Sequence, residues 1–325
     1  MKVHILDDWF DSLRHLSSFK KMHNHDVTIW NDHVEDVEVL AKRLVDAEAL
    51  VLFRERTAIT DALLQKLPNL KLISQRSVYP HVDVAACTTH GVLLSSNMHA
   101  GSPSYAAAEL TWGLILSTMR QIPQQMASLK AGTWQMSVGK SLHGRRLGLY
   151  GYGRIASVVA EYARVFGMDV LWWSSEQGRA RAQADGQNVA ASREAFFAEC
   201  DVISIHVRLK PETRGMIGPA DFAAMRTDSV FVNTSRAALV QPGALLAALD
   251  AGRPQWAALD VFEVEPLTDK NDPLANHPHV IATPHIGYVT EDELDLQFSD
   301  IYDQINSYAE GKPVHMINPE VYPSA

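Results

Sequence analysis

A chain of 325 residues, at roughly 150 residues per domain, allows two domains with sizeable cores. A hydrophobic fraction of 46% with 21% charged residues excludes a disordered or fibrous chain, and two cysteines, Cys87 and Cys200, exclude a disulfide framework and suit a reducing compartment. The net charge of −9, from 29 basic and 38 acidic residues, gives no sequence-wide basic surface for nucleic acid or acidic lipid. The start, MKVHILDDWF, has no secretory pattern and no apolar run reaches about 18 residues, so a cytoplasmic, membrane-free protein is expected.

In chain order, residues 1–6, 27–30 and 49–53 read as strands. Residues 34–46 (VEDVEVLAKRLVD) put Val34, Val37, Leu40, Ala41 and Leu44 on one helical face. Apolar runs at 70–74 and 92–94 complete this set. Residues 103–120 (PSYAAAELTWGLILSTMR) predict the longest helix, with Pro103 in its first turn. That helix is apolar around most of its circumference and should be buried. A second series follows, with strands at 147–150, 169–173, 202–207, 230–233, 257–261 and 280–283. Its helices are expected at 154–166, near 219–225 and at 242–251, the last starting near Pro242. Residues 290–310 read as helix again and should return to the first half. Strands alternating with helices of about a dozen residues imply βαβ units. The fold class is therefore α/β, with two doubly wound parallel-sheet halves and the second inserted in the first.

Residues 147–156 read LGLYGYGRIA, so Gly151 and Gly153 follow a predicted strand and open a predicted helix. The first glycine suits a tight turn. The second lets backbone amides approach a pyrophosphate at a helix N-terminus, and Ala156 keeps the third position small. An acidic residue about 20 positions later would hold a ribose 2′-hydroxyl, but the second strand ends near Ser174. Glu176 could serve the ribose instead. Arg179 and Arg181 either face a 2′-phosphate or form a solvated helix face. The cofactor expected is NAD, with NADP as the alternative.

Three further segments, FVNTSRAALV (231–240), LDVFEVEPL (259–267) and IATPHIG (281–287), each end or follow a predicted strand. In an open parallel sheet, ligands bind beyond the carboxyl ends of the strands, which directs all three to one crevice. They offer Arg236, Glu265 and His285. A guanidinium binds a carboxylate bidentately, a histidine exchanges a hydroxyl proton near neutral pH, and a glutamate behind it orients the ring and favours its charged form. With GLYGYGRIA and CDVISIHVRLKPETRGMI, these stretches resemble the D-isomer-specific 2-hydroxyacid dehydrogenase family over about residues 144–290. The length suits the family's short form.

The resemblance implies two Rossmann-like domains, an NAD(P)-binding domain at 99–288 and a substrate-capping domain made of 1–98 and 289–325. It implies that Arg236 binds substrate, Glu265 orients the ring and His285 is the acid/base. Arg154 and Ile155 would lie on the pyrophosphate, and His206, Val207, Thr234 and Ser235 would line the cofactor cleft. Asp260 would hold the nicotinamide carboxamide, and the 103–120 helix with the arm after it would form a homodimer interface. The substrate would be a small 2-keto or 2-hydroxy acid.

The substrate loops depart from the family pattern. Arg54 is a candidate carboxylate contact, but the usually glycine-rich next loop carries Arg76, Ser77, Val78 and Tyr79. An arginine there suits a second anionic group on the substrate, or else turns to solvent. His99 stands near the hinge, and Arg208 takes a position where proline is usual. The other histidines, including His4, His23 and His25, lack metal-ligand spacing, so no metal is expected. Two rival readings are a formate dehydrogenase-like enzyme, which would pair the histidine with an amide, and a dinucleotide-sensing corepressor-like binding protein.

Overall fold

The computed structural model describes residues 1–98 and 105–322; His99 and Pro103 lie outside them. The chain divides into two units, Met1–Ser102 with Thr290–Ala325, and Pro103–Val289.

In the first unit, strands β1 (Lys2–Ile5), β2 (Asp26–Ile29), β3 (Ala49–Val51), β4 (Leu72–Arg76) and β5 (Leu93–Asn97) form a parallel sheet in the order β2-β1-β3-β4-β5. Helices α1 (Val37–Leu44), α2 (Asp61–Leu64) and α3 (Val84–Thr89) start where Asp36, Thr60 and Asp83 accept the third following amide. The Asp36 cap explains why α1 is shorter than 34–46 and leaves Val34 outside it. Strand β4 runs two residues past the expected end, because Gln75 and Arg76 stay in register with Ser96 and Asn97. Pairing overrides their polarity.

In the second unit, α4 (Tyr105–Arg120) and α5 (Ile122–Lys130) precede β6 (Arg146–Tyr150). Then follow α6 (Arg154–Val165), β7 (Asp169–Trp173), α7 (Glu176–Ala184), α8 (Arg193–Glu199), β8 (Val202–Ile205) and α9 (Pro219–Ala224). The series ends with β9 (Val230–Asn233), α10 (Ala244–Asp250), β10 (Trp256–Leu259) and β11 (Val280–Ala282). All six strands are parallel, in the order β11-β10-β9-β8-β6-β7. One apolar core packs α4 and α6 against the sheet through Trp112, Ile115 and Val159; a second gathers Phe196, Phe197, Phe222 and Phe231. The Trp112 indole stacks on Phe166 and donates to the Val159 carbonyl, which ties α4 to α6. The predicted strand 202–207 stops at Ile205, leaving His206 and Val207 beyond its end. Helix α10 begins after Gly243, so Pro242 lies just outside it.

The last helix, α11 (Glu291–Ala309), belongs to the first unit, starting at Thr290, which caps the Glu293 amide. Phe298 packs edge-on against Phe53, and the Ser74 hydroxyl donates to the Ile301 carbonyl. No helix among the described residues is long and apolar enough to cross a membrane.

Candidate active site

The chain passes from β6 to β7 on one side and later to β8 on the other, so the sheet reverses its winding between β6 and β8. A crevice opens at the carboxyl ends of such strands. Gly151 follows β6 with φ +117°, and a Cβ there would come within 2.2 Å of the His206 carbonyl oxygen after β8. Only glycine fits. At Gly153 a Cβ would meet open space, and Gly153 is the N-cap of α6 without a side-chain cap. The first amides of α6 are thus left for an anion, which fits the pyrophosphate of a dinucleotide. Arg154 and Ile155 form the first turn of α6, and Ala156 is fully buried beneath it.

Around this turn the expected cleft residues are held by hydrogen bonds. The Ser235 hydroxyl donates to the Ile205 carbonyl at 2.6 Å, and Thr234 Oγ1 meets Thr111 Oγ1 on α4 at 2.8 Å. Asn233 closes the loop after β9, accepting from the Ser235 amide and donating to the Arg236 carbonyl. Sequence reading missed Asn233, although an Asx turn at a strand end is a recognisable signal. His206 Nε2 lies 2.9 Å from Ser204 Oγ, and burial pushes its ring down to about 4, so it is neutral at physiological pH. Val207 follows it and packs on the second apolar core.

At the end of β7, Ser174 replaces a carboxylate. Its carbonyl accepts from Arg179, whose guanidinium lies 4.3 Å above the Trp173 ring. Arg181 donates to the Tyr152 carbonyl. Both arginines are therefore anchored beside the strand end, and Glu176 is exposed in the first turn of α7.

Arg236, Glu265 and His285 come together. His285 Nδ1 donates to Glu265 Oε2, leaving Nε2 facing away from the glutamate. Glu265 Oε1 accepts from the Phe262 amide at 2.8 Å. Burial alone would push the Glu265 carboxyl up. The His285 bond and charge, the Phe262 amide and the nearby Arg236 cation outweigh that and hold it below the usual glutamate value. The carboxylate thus stays ionised at neutral pH, and the pair is lost only as pH falls through that lowered value. The Arg236 guanidinium also donates to the Ser235 carbonyl.

His285 has a left-handed backbone, φ 54°, which is unusual for a non-glycine residue. Asp260, just past β10, accounts for it. Its Oδ1 accepts from the Thr283 hydroxyl (2.6 Å) and the Ile286 amide (2.9 Å), and its Oδ2 accepts from the Gly287 amide (2.8 Å). Burial pushes the Asp260 carboxyl up, which these three donors oppose. Asp260, expected to meet the nicotinamide carboxamide, thus also holds the turn that presents His285.

The substrate-loop residues lie in the first unit and are described there by themselves. Arg54 follows β3 with φ 61°, and Ser77 follows β4 with φ 80°. The Ser77 amide bonds the Asn97 carbonyl, whereas the Val78 and Tyr79 amides make no hydrogen bond among the described residues. Gln75, missed in the sequence, braces this loop by donating to the Ser77 and Val78 carbonyls. Arg76 departs from expectation. Its side chain is 6% exposed, and Nε lies 3.0 Å from Asp300 on α11, so its charge is neutralised inside the unit. As the last residue of β4 it is buried with the rest of the strand, and it is not an open contact for a substrate anion.

A family model described as D-isomer specific 2-hydroxyacid dehydrogenase, NAD binding domain, matches residues 112–287. The chain is 33% identical over 313 residues to a glyoxylate reductase of Aeropyrum pernix, covering 91% of each. It is 34% identical over 287 residues to a D-3-phosphoglycerate dehydrogenase of Bacillus subtilis, covering 86% of this chain but 54% of that protein, about half its length. The crystal structure of a phosphoglycerate oxidoreductase from Vibrio cholerae O395 superposes with TM-score 0.89 at 44% identity, covering 95% of this chain and 99% of that one. The Pro103–Val289 unit therefore carries an NAD-binding domain, and the chain belongs to the D-isomer specific 2-hydroxyacid dehydrogenase family.

Proposed function

We propose that this protein interconverts a small 2-keto acid and its D-2-hydroxy acid, with NAD as redox partner. The observation that carries this reading is the Glu265–His285 pair with Arg236 beside it, in the same unit as the glycine turn. A bound nicotinamide would supply the hydride for the keto carbon. Arg236 offers two parallel donors, enough to hold carboxylate and carbonyl in one plane and to polarise the carbonyl. His285 Nε2 then gives its proton to the carbonyl oxygen, and Glu265 balances the imidazolium before transfer. In the oxidising direction the same nitrogen takes the hydroxyl proton. An amide in place of Glu265 would suit a formate reaction, where no carbonyl oxygen is protonated; the carboxylate favours the hydroxyacid reading.

The test is a panel of 2-keto acids, including glyoxylate and hydroxypyruvate, with NADH and NADPH. Keto acid-dependent oxidation of the cofactor is expected. No turnover on the panel, with tight capture of a protein partner, supports the corepressor-like alternative instead.

Glu265→Gln removes the charge that favours the imidazolium, so the alkaline limb of the reduction profile moves to lower pH. A limb that stays in place takes Glu265 out of the proton-transfer pair.

Discrimination against NADPH should be weak, because no carboxylate stands at Ser174 to repel a 2′-phosphate. The ratio of kcat/KM values for NADH and NADPH should lie within about tenfold, and Ser174→Asp should raise it by at least about tenfold, roughly 1.4 kcal/mol. A wild-type preference already far above tenfold contradicts this.

The family's homodimer is proposed for this chain too. Ile122, Met126 and Leu129 are exposed on α5, and Trp134 (76% exposed) and Val138 (93%) follow it. Apolar surface of this kind on a soluble domain usually meets a partner, most often a second copy across a two-fold axis. Sedimentation velocity should give a dimer that Leu129→Glu with Trp134→Glu converts to monomer; a wild-type monomer at micromolar concentration refutes it. With Cys87 and Cys200 both free and buried, a cytoplasmic location is proposed as well.

A further inference from the structure

In the first unit, β2, β1 and β3 are neighbours, and the loops at their carboxyl ends converge on one side chain. Asp7, just past β1, is 2% exposed. Its Oδ1 accepts from His33 Nδ1 at 2.8 Å, in the loop after β2. Its Oδ2 accepts from the Thr57 hydroxyl at 2.6 Å, in the loop after β3. Its backbone carbonyl accepts from Arg56 Nη1 at 2.6 Å. A buried carboxylate persists only with such donors, so this one residue fixes the three loops to each other. The Arg56 guanidinium also lies 3.8 Å from the Trp9 ring and 4.1 Å from the Phe53 ring, both attractive cation–ring contacts. Phe53 in turn packs on Phe298 of α11.

The loop after β3 is thereby pinned on both sides of Arg54 and Glu55. Phe53 before them is buried, and Arg56 and Thr57 after them are bonded to Asp7. Arg54 has φ 61° and Asp7 has φ 62°. Residues other than glycine keep that backbone where surrounding contacts over-determine it, and such positions gather at ligand sites. Arg54 Nε lies 3.9 Å from Glu55 Oε2. Burial pushes the His81 imidazole down, Glu55 opposes that and Arg54 adds to it. Both residues are therefore close to the loop after β4, the second of the substrate loops.

We propose that Asp7 is a positioning residue for substrate binding: through Thr57 and Arg56 it holds the Arg54 turn in the conformation that meets the 2-keto acid carboxylate. The inference rests on the hydroxyacid reading. Asp7 acts at one remove from the substrate, where a shift of about 1 Å in a binding group costs up to about 10²-fold.

The test uses the full chain saturated with NADH, with oxamate as a non-reducible 2-keto acid mimic, beside steady-state kinetics on the preferred keto acid. Thr57→Val keeps the volume but removes the hydroxyl that Asp7 Oδ2 accepts. It should raise the oxamate Kd and the keto acid KM by about tenfold, with kcat within about twofold and NADH affinity unchanged. Thr57→Ser, which retains the hydroxyl, should stay near wild type. In an Arg54→Gln background Thr57→Val should add less than about twofold, because the group it positions is gone. Asp7→Ala removes both carboxylate bonds and should raise the same constants further; Thr57→Val carries the test should Asp7→Ala not fold. Full additivity with Arg54→Gln overturns the proposal, as does unchanged oxamate binding in Thr57→Val. A fall in kcat and NADH affinity in step with the rise in KM also overturns it, since that marks a general loss of structure. A wild type that neither reduces a keto acid nor binds oxamate overturns the hydroxyacid reading and this role with it. A wild type that does both, beside variants that match it, overturns the positioning role alone.

Discussion

His285→Ala lowers kcat for reduction of the preferred 2-keto acid by roughly 10²–10⁴-fold, the usual contribution of a positioned general acid. NADH binding survives, because the glycine turn and the first amides of α6 do not involve the imidazole. The loss falls on kcat more than on KM, since Arg236 still holds the substrate carboxylate. Steady-state kinetics and fluorescence titration of NADH separate the two effects. A variant with near-normal turnover sinks the assignment. Alanine also places a simple side chain at a backbone of φ 54°, so His285→Asn is a useful companion: asparagine tolerates that conformation and still cannot supply the proton.

The second large effect is expected at Asp260, which touches none of the proposed reacting groups. Asp260→Asn keeps the volume but presents an amide hydrogen where one carboxylate oxygen accepted the Gly287 amide or the Ile286 and Thr283 donors. One or more of the three donors, of which the Gly287 amide bond is buried, is then left facing a donor. A lost partner of this kind costs about 1–3 kcal/mol, a large share of a total stability of roughly 5–15 kcal/mol. The melting temperature should fall by several degrees. The turn should relax from the left-handed geometry at His285, so kcat falls at least about tenfold and the altered pH profile resembles that of Glu265→Gln. Unchanged kinetics with lowered stability would make Asp260 a purely structural residue.

Much of the second unit was legible in the sequence. Strands β7 and β9 occupy the predicted residues, and the strand–turn–helix context of Gly151 and Gly153 follows from local pattern alone. The trio could be read because each member sits just past a strand, where position in sequence translates into position in the crevice. Helices α5, α7 and α8 were missed. EQGRARAQA in α7 has no apolar stripe to betray a helical period, and α8 is only seven residues long, begun by the Ser192 cap. Arg76 was misread because its counter-charge, Asp300, comes from a helix at the other end of the chain. The hold of Asp260 on the His285 turn was not legible, because the donors that use it become neighbours only once β10 and the 283–287 turn fold together. Local patterns carry elements; they do not carry the partners of a buried charge.

The return of α11 to the first unit has a consequence for biosynthesis. As the chain leaves the ribosome, residues 1–98 emerge with β1 to β5 complete but with Phe53 and Ser74 lacking Phe298 and the Ile301 carbonyl. The second unit, continuous in sequence, can close its two cores before those partners exist, whereas the first must wait for α11. Domains commonly fold in the order of synthesis. Here the order is inverted: the part made first is finished last, and its exposed sheet face is what a chaperone would meet in the interval.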